Sequence, residues 1–399
     1  MMILSDRISE IVESQTLAMT KRSRELKATG VDVINLSIGE PDFDTPKHII
    51  EAAYQAMLDG YTHYPPVSGL PELRTAIAQK LKRENGFAFE AENIIVSNGA
   101  KHSLLNAVLS IVNSGDEVLI PAPFWVSYPS LIQYAGGVPV EIPSTVESDF
   151  KVSAEQLEAA ITPKTKMIIF SSPCNPSGSV MSESELLAWK NVLIKYPNIF
   201  ILSDEIYEKI NYAGKHCSLA SYPELEGRIA VINGMSKGYA MTGWRMGYLA
   251  GPKELVQACD KIQGLMTSGA SSVSQMASVA ALDGPQDEVE VMRTTFEKRR
   301  NIFHTALSLI PNLPCNRPDG AFYLFPDVSY YLGGKTPEGK TITTADELCL
   351  YLLDKGHVSA VSGEAFGHAN CIRFSYAAAE EQLIEAAERI AIAFRNLTH

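Results

Sequence analysis

Short apolar runs alternate with amphipathic segments over residues 45–284. Segment 182–195 has apolar residues at helical spacing and opens with the capping pattern Ser182-x-x-Glu185. The candidate strands lie at residues 93–97, 117–120, 167–171, 199–203, 229–232 and 248–250. These runs lack polar alternation, so we expect a sheet that is buried on both faces, as parallel sheets are. The pattern predicts a large α/β domain with a mostly parallel central sheet over residues 45–284.

The pattern changes after residue 284. A long amphipathic segment covers about residues 289–309 and predicts a helix. Strand-like and helical segments then alternate, at residues 321–325, 345–355, 358–361, 372–375 and 380–396. We therefore expect a smaller α+β domain built from residues 285–399, joined by residues 1–44.

Charge and composition narrow the possible partners. The chain has 34 basic and 46 acidic residues, a net charge of -12, and no basic cluster, which disfavours nucleic acid. No apolar run reaches the roughly 20 residues that span a bilayer, and the first residues do not resemble a secretory signal. Six scattered cysteines predict neither a disulfide framework nor a metal site. These features favour a cytoplasmic protein that acts on a small soluble substrate.

Chemically distinctive residues follow the predicted strands. In parallel sheets, ligands bind at the carboxyl ends of the strands, so the residues after each strand are the candidates for a site. In chain order these residues are Gly99, Ala100 and Lys101, then Trp125, Asn175, Asp204, Tyr207, Ser236, Lys237 and Arg245. Each one alone has an ordinary structural explanation, such as a helix cap or a core aromatic. Their concentration at one edge of the sheet predicts a functional site.

The chemistry of this set fits pyridoxal 5'-phosphate (PLP). PLP needs an amine to hold its aldehyde, for which Lys237 is suited, and an acid opposite its pyridine nitrogen, for which Asp204 is suited. A nearby carboxylate favours the protonated nitrogen. Tyr207 and Asn175 can donate to the ring oxygen, and the indole of Trp125 can cover the ring. A helix N-terminus and an arginine suit the phosphate.

The motifs that carry these residues resemble the class I aminotransferases of PLP fold type I. The matching stretches are Gly39-Glu40-Pro41-Asp42, Asn175-Pro176-x-Gly178, Ser203-Asp204-Glu205-x-Tyr207, Ser236-Lys237, Gly243-Trp244-Arg245-x-Gly247 and Arg373-Phe374-Ser375-Tyr376. The resemblance covers essentially the whole chain. It is strongest to bacterial aspartate aminotransferases, in a branch that also includes prephenate aminotransferases.

The resemblance implies a role for each residue. Lys237 would form the Schiff base and move the substrate proton, and Arg373 would bind the α-carboxylate. Lys101 would bind a side-chain carboxylate, and Tyr64 would reach the cofactor phosphate of a neighbouring subunit in a homodimer. The implied cofactor-binding residues are Gly99, Ala100, Trp125, Asn175, Asp204, Tyr207, Ser236, Lys237, Arg245 and Tyr64. The implied substrate-binding residues are Gly39, Lys101, Trp125, Asn175 and Arg373.

Some positions bear on phosphate binding or on the choice of substrate. Many members of the family have a phosphate-binding serine three residues before the lysine, where this chain has Gly234. Thr267 and Ser268 are further candidates for substrate contact from the other subunit. Prephenate-active relatives tend to have a basic residue near Val12 and Glu13, so these residues favour aspartate with 2-oxoglutarate.

Other functions remain open at this stage. The same fold could prefer aromatic amino acids or prephenate, or could act as a β-lyase. A nucleotide-binding oxidoreductase lacks support because no Gly-x-Gly-x-x-Gly follows a strand. A transcription regulator on this fold would need a DNA-binding domain, for which we expect no room in the N-terminal segment.

Overall fold

A computed structural model describes residues 15–87 and 89–398. The strands are β1 (Ile34–Asn35), β2 (Ile94–Asn98), β3 (Glu117–Pro121), β4 (Val138–Ile142), β5 (Thr165–Ser171), β6 (Phe200–Asp204), β7 (Ile229–Gly234), β8 (Met246–Ala250), β9 (Tyr323–Leu324), β10 (Val358–Ser359), β11 (Val361–Ser362) and β12 (Ile372–Ser375). Most of the strands of the large sheet agree with the predicted ones to within two residues at each end.

Helices pack on both faces of the large sheet. They are α1 (Gln15–Ala28), α2 (Lys47–Leu58), α3 (Pro71–Lys80), α4 (Ala100–Ile111), α5 (Tyr128–Tyr134), α6 (Ala154–Ala160), α7 (Glu183–Leu193), α8 (Lys253–Met266), α9 (Ser272–Asp283), α10 (Asp287–Ser308), α11 (Ala345–Tyr351) and α12 (Glu380–Arg395). None of these described helices is both long and apolar enough to cross a membrane.

The large sheet has the strand order β2-β8-β7-β6-β5-β3-β4. Every strand in it is parallel to the others except β8, which is antiparallel to β2 and β7. The α/β architecture predicted from the apolar runs is confirmed. Because the parallel strands point the same way, the loops after them open on one edge of the sheet.

Burial on both faces explains why these strands read as unbroken apolar runs. All six residues of β7 are buried, and so are the last four residues of β6. One face packs on a core that includes Leu104 and Val108 of α4, and the other packs on a core that includes Leu186 and Trp189 of α7. The strands therefore need apolar residues at successive positions.

The C-terminal part forms two small sheets around a separate core. β1 pairs with β10 in parallel, and β12 pairs with β11 and β9 in antiparallel fashion. Aromatic residues such as Phe296, Phe303 and Phe374 fill this core. The predicted domain boundaries after residues 44 and 284 remain a proposal.

The prediction of a single strand at residues 358–361 was wrong. Residues 358–361 form two short strands, β10 and β11, which belong to different sheets. β10 pairs with the N-terminal β1, whereas β11 pairs with β12 beside Arg373. A continuous apolar run cannot reveal this division, because both halves are buried.

Candidate active site

A cavity of about 440 Å³ opens at the carboxyl edge of the large sheet. Its volume is in the usual range for small-molecule sites. Eleven of the predicted site residues line it: Gly39, Ala100, Lys101, Trp125, Asn175, Asp204, Tyr207, Ser236, Lys237, Arg245 and Arg373. The structure thus brings together residues that are up to 334 positions apart in the sequence.

The N-terminus of α4 forms a cradle for an anion. A Cβ on Gly247 would lie 2.1 Å from the backbone nitrogen of Ala100, so only glycine lets β8 approach this helix end. Gly99 has a φ of +86°, and a Cβ there would lie 2.4 Å from Nη2 of Arg245. The guanidinium of Arg245 donates to the carbonyl oxygens of Thr242 and Asn98, at 3.0 and 3.3 Å. Helix N–H groups and a fixed arginine are suited to a phosphate.

Gly234 has a packing role in this protein. A Cβ at this position would lie 2.6 Å from the carbonyl oxygen of Met246 and 2.8 Å from Cα of Gly247. The close approach of β7 and β8 therefore leaves no room for a serine side chain at this position. Ser236 lines the cavity two residues later, so a hydroxyl is still available on this loop.

Asp204 is a buried carboxylate at the end of β6. Its Oδ2 accepts a hydrogen bond of 2.7 Å from the hydroxyl of Tyr128, and its Oδ1 accepts one of 3.2 Å from the backbone N–H of Ile206. Burial raises the pKa of Asp204 to about 6, although these hydrogen bonds and Lys237 oppose the shift. A carboxylate in this setting gains from a cationic partner in the cavity.

Lys237 lies on the loop after β7 and points into the cavity. Its Nζ donates to the carbonyl oxygen of Gly39 and lies about 6 Å from the centre of the Tyr207 ring. Burial lowers the pKa of Lys237 to about 8, with Arg373 and Arg245 acting in the same direction. The lowered pKa gives Lys237 a larger unprotonated fraction near neutral pH than an ordinary lysine has. Such an amine is suited to attack an aldehyde.

Arg373 is buried beside the cavity without a carboxylate partner in the described residues. It is 2% exposed, and its guanidinium donates to Oδ1 of Asn175 at 3.0 Å and to the carbonyl oxygen of Ser37 at 2.8 Å. Its Nε is buried and has no hydrogen-bond partner. Burial lowers the pKa of Arg373. Because an unpaired buried cation is costly, this geometry fits a site that receives an anionic ligand.

Lys101 provides a second cation near the cavity mouth. Its Nζ lies 4.9 Å from the centre of the Trp125 ring. Partial loss of hydration lowers the pKa of Lys101, and the positive charge of Arg245 adds to the effect. The described part of the chain supplies no carboxylate to pair with it. Trp125 in turn packs edge-on against Tyr128, with 5.6 Å between ring centres.

Several predicted residues do not line this cavity. Gly99 lies directly behind Arg245, as described above. Tyr64 is 94% exposed, so it points away from its own chain. Thr267 and Ser268 follow α8 and are likewise outside the cavity. Val12 and Glu13 lie outside the described residues.

Comparison with known proteins agrees with this geometry. The family model for class I and II aminotransferases matches residues 31–390. The chain belongs to this family. This aminotransferase is 46% identical over 392 residues to the probable aspartate/prephenate aminotransferase of Rhizobium leguminosarum bv. phaseoli, with 98% of each chain covered.

Solved structures of other aminotransferases superimpose closely. The aspartate aminotransferase of Rhizobium meliloti has a TM-score of 0.96 and 44% identity, with all of both chains covered. The aspartate aminotransferase of Thermus thermophilus, determined with maleate, has a TM-score of 0.92 and 37% identity, covering 98% of this chain and 100% of that one. The resemblance seen in the motifs is therefore confirmed along the whole chain.

A buried charge cluster supports the loop after β6 in this aminotransferase. Ligand atoms of Glu205, Glu208 and His216 lie within 4.8 Å of one another, which is close enough for a metal ion. The ammonium of Lys80 already bonds to Glu208, however, and His216 bonds to Glu205 at 2.9 Å. Although burial opposes it, the Glu205 carboxylate raises the pKa of His216. The cluster is therefore an ion-pair network that holds the segment between Asp204 and His216.

Sequence reasoning missed some residues of the site. Tyr128 was not singled out, although its position three residues after Trp125 places both on one turn at the start of α5. Tyr323, whose hydroxyl lies 2.7 Å from that of Tyr207, was also missed. It lies within an apolar stretch, where an aromatic residue predicts only core packing. Ser37 contacts Arg373 through its backbone carbonyl, which the identity of the side chain does not indicate.

Proposed function

We propose that this aminotransferase uses pyridoxal 5'-phosphate to move the amino group of L-aspartate to 2-oxoglutarate. The observation that carries the proposal is that Lys237, Asp204 and an unpaired, buried Arg373 meet in one cavity. An amine of lowered pKa, an acid and a carboxylate-binding guanidinium are the groups that transamination requires. The relatives of this chain include aspartate aminotransferases, which supports the same assignment.

The residues present fit the cofactor. The cradle formed by Gly99, Ala100 and Arg245 is suited to its phosphate, and Gly99 has no side chain that would displace the Arg245 guanidinium from it. Asp204 would face the pyridine nitrogen, where a cation would stabilise its buried negative charge. Trp125 would cover the ring. Placing the cofactor there would satisfy groups that the protein itself leaves uncompensated.

In this arrangement the cofactor supplies an electron sink for the substrate Cα–H bond. Lys237 holds the cofactor aldehyde and, once free, moves the proton at the substrate Cα. Arg373 binds the α-carboxylate through two parallel N–H groups and so orients that bond. Asp204 would hold a negative charge near the pyridine nitrogen, and Tyr207 would donate to the ring oxygen.

Lys101 supports a dicarboxylic substrate. It and Arg373 are both cations that line one cavity and have no carboxylate partner in the described residues. Aspartate and 2-oxoglutarate each have two carboxylates that could pair with them. The related enzyme of Thermus thermophilus was determined with maleate, which is also a dicarboxylate. The same proposal includes a preference for aspartate over prephenate as the substrate.

We expect Lys101→Gln to raise KM for aspartate and 2-oxoglutarate by about 10- to 100-fold, because a charge-assisted hydrogen bond contributes about 1.5–3 kcal/mol. The slow reaction with alanine, which has no side-chain carboxylate, should stay within about twofold, as a steady-state comparison of the two amino donors would measure. Lys164→Gln, on an exposed turn before β5, is the matched control. An equal loss with alanine would assign Lys101 a structural role and not a specificity role.

The surface of the protein supports a homodimer with a shared site. Tyr64 and Leu265 are 94% and 88% exposed, and Tyr54 and Leu58 of α2 are also exposed. Large apolar side chains exposed in this number favour burial against another chain. Tyr64 could then reach the cofactor phosphate of the partner subunit. Thr267 and Ser268 could approach its substrate from the loop that follows α8.

We expect the wild-type protein to sediment as a dimer, and Leu58→Glu with Leu265→Glu to sediment as a monomer with little activity. Charges in an apolar interface lose their hydration without gaining a partner. Leu309→Glu, at a leucine that is 80% exposed after α10, should leave both the dimer and the activity unchanged. A fully active monomer would contradict the shared site.

The first test of the function is a visible absorbance spectrum of the purified protein, titrated with L-aspartate. We expect a yellow protein whose absorption band gives way to that of the aminated cofactor. A yellow protein that responds only to another amino acid would retain the aminotransferase but overturn the proposed substrate. Failure to take up added PLP would overturn the cofactor assignment, and release of pyruvate from a sulfur amino acid would indicate a β-lyase.

A further inference from the structure

Two tyrosine hydroxyls are hydrogen-bonded to each other beside the cavity. The hydroxyl oxygens of Tyr207 and Tyr323 are 2.7 Å apart, and both residues are buried. Tyr207 follows β6 of the large sheet, whereas Tyr323 belongs to β9 of a small sheet. The hydrogen bond therefore joins the part of the protein that surrounds the cofactor site to the part that contains Arg373.

The ring of Tyr323 also contacts the group that binds the substrate carboxylate. The guanidinium carbon of Arg373 lies 4.5 Å from the centre of this ring, a cation–π distance. The hydroxyl lies close to the loop beneath the substrate, since a Cβ on Gly39 would be 3.0 Å from it. Tyr323 thus touches Arg373 with its face and Tyr207 with its hydroxyl.

The number of available protons determines which tyrosine donates in the hydrogen bond between Tyr207 and Tyr323. Each phenol has one O–H to donate. If Tyr207 donates its proton to the cofactor ring oxygen, its own oxygen can only accept, so Tyr323 must be the donor in their shared bond. The two O–H groups then form a hydrogen-bonded chain from Tyr323 through Tyr207 to the cofactor ring oxygen. Successive hydrogen bonds polarise one another, and each strengthens the next.

We infer that Tyr323 is a positioning residue that donates to Tyr207 and so strengthens the bond from Tyr207 to the cofactor ring oxygen. Its ring holds the Arg373 guanidinium in place at the same time. This inference rests on the proposed function. Tyr323 itself does not line the cavity, so it acts through its two neighbours and is not a catalytic residue.

The test is the pH titration of the visible absorption band of the holoenzyme. The titrating proton is shared between the ring oxygen and the nitrogen of Lys237. Loss of a donor makes the ring oxygen more basic, so it retains this proton to higher pH. We expect Tyr323→Phe to raise the midpoint by about 0.3 pH unit. Tyr207→Phe, which removes the direct donor, should raise it by about one unit or more.

Non-additivity separates this inference from a general loss of structure. Because Tyr323 acts through Tyr207, adding Tyr323→Phe to Tyr207→Phe should shift the midpoint no further. KM for aspartate should stay within about twofold, since phenylalanine keeps the ring beside Arg373. The matched control is Tyr376→Phe, which removes another buried hydroxyl, bonded to the Ala321 carbonyl at 3.2 Å. It should leave the midpoint unchanged.

A second variant covers the case in which Tyr323→Phe does not fold. Replacing Tyr323 by 3-fluorotyrosine keeps the shape and makes the hydroxyl a better donor, so the midpoint should fall. An unchanged midpoint in either variant, or additive shifts in the double variant, would overturn the inference. The proposed function would stand in those cases, because it fails only if the wild-type protein takes up no PLP or performs no transamination.

Discussion

Lys237→Ala is expected to reduce transamination by about 10⁴-fold or more. The variant lacks both the amine that holds the cofactor and the group that moves the Cα proton, and proton transfer alone contributes about 10²–10⁴. No other described lysine bonds to the Gly39 loop or lies over the Tyr207 ring, so no substitute amine is in position. A single-turnover reaction with aspartate, followed by the visible spectrum, measures the loss.

Two further variants make this expectation specific. Lys237→Arg keeps a cation but cannot form the Schiff base, so it should be as inactive as the alanine variant. Lys195→Ala, which removes an exposed lysine paired with Glu158 at 2.9 Å, should keep full activity. Borohydride should fix the cofactor mass to the wild-type protein and to the Lys195 variant only. Retention of more than about 1% activity in Lys237→Ala would refute the assignment.

Asp204→Asn is expected to lower kcat by about 10³-fold. Asparagine keeps the shape, and its oxygen can accept from the Ile206 N–H while its amide group donates to the Tyr128 hydroxyl, but it has no charge opposite the pyridine nitrogen. If the charge is responsible for about three pKa units at that nitrogen, its loss corresponds to about 4 kcal/mol. Steady-state kinetics with saturating PLP would measure the effect separately from weaker cofactor binding.

The neighbouring tyrosine provides the control for this experiment. Tyr128→Phe removes the hydrogen bond to the carboxylate but leaves the charge, so we expect a loss of about tenfold or less, consistent with one hydrogen bond. An N-methylated PLP analogue is cationic at every pH and should restore part of the activity of Asp204→Asn. If Asp204→Asn retained a tenth of the wild-type kcat, the carboxylate would not have the proposed role.

The large domain was predictable because its strands are buried on both faces. The apolar runs of β6 and β7 can be recognised as strands from the amino-acid sequence alone. β4 was missed because it is the edge strand of the sheet, contains Pro139, and exposes Val138 and Glu141. Helix α3 (Pro71–Lys80) continues into a five-residue π-helical segment, Leu81–Asn85, which helical periodicity in the sequence does not distinguish from an α-helix.

The candidate site was predictable to the extent that it follows from strand direction. Asn175, Asp204 and Lys237 each lie at the carboxyl end of a parallel strand or in the loop that follows it, so their convergence is a consequence of topology. Arg373 and Gly39 follow no such rule, and only the family resemblance indicated them. Their positions depend on the pairing of β1 with β10 and of β11 with β12.

The amino-acid sequence by itself determined the α/β architecture and the family, and it indicated the residues that we propose for the chemistry, because buried strands and motif residues have strong local signals. The tertiary structure decided which groups are left without partners and which pKa values change, since burial and pairing depend on residues far apart in the chain. Arg373 is an ordinary arginine in the sequence and an unpaired buried cation in the fold. The bond between Tyr207 and Tyr323 exists only because two sheets pack together at the cavity.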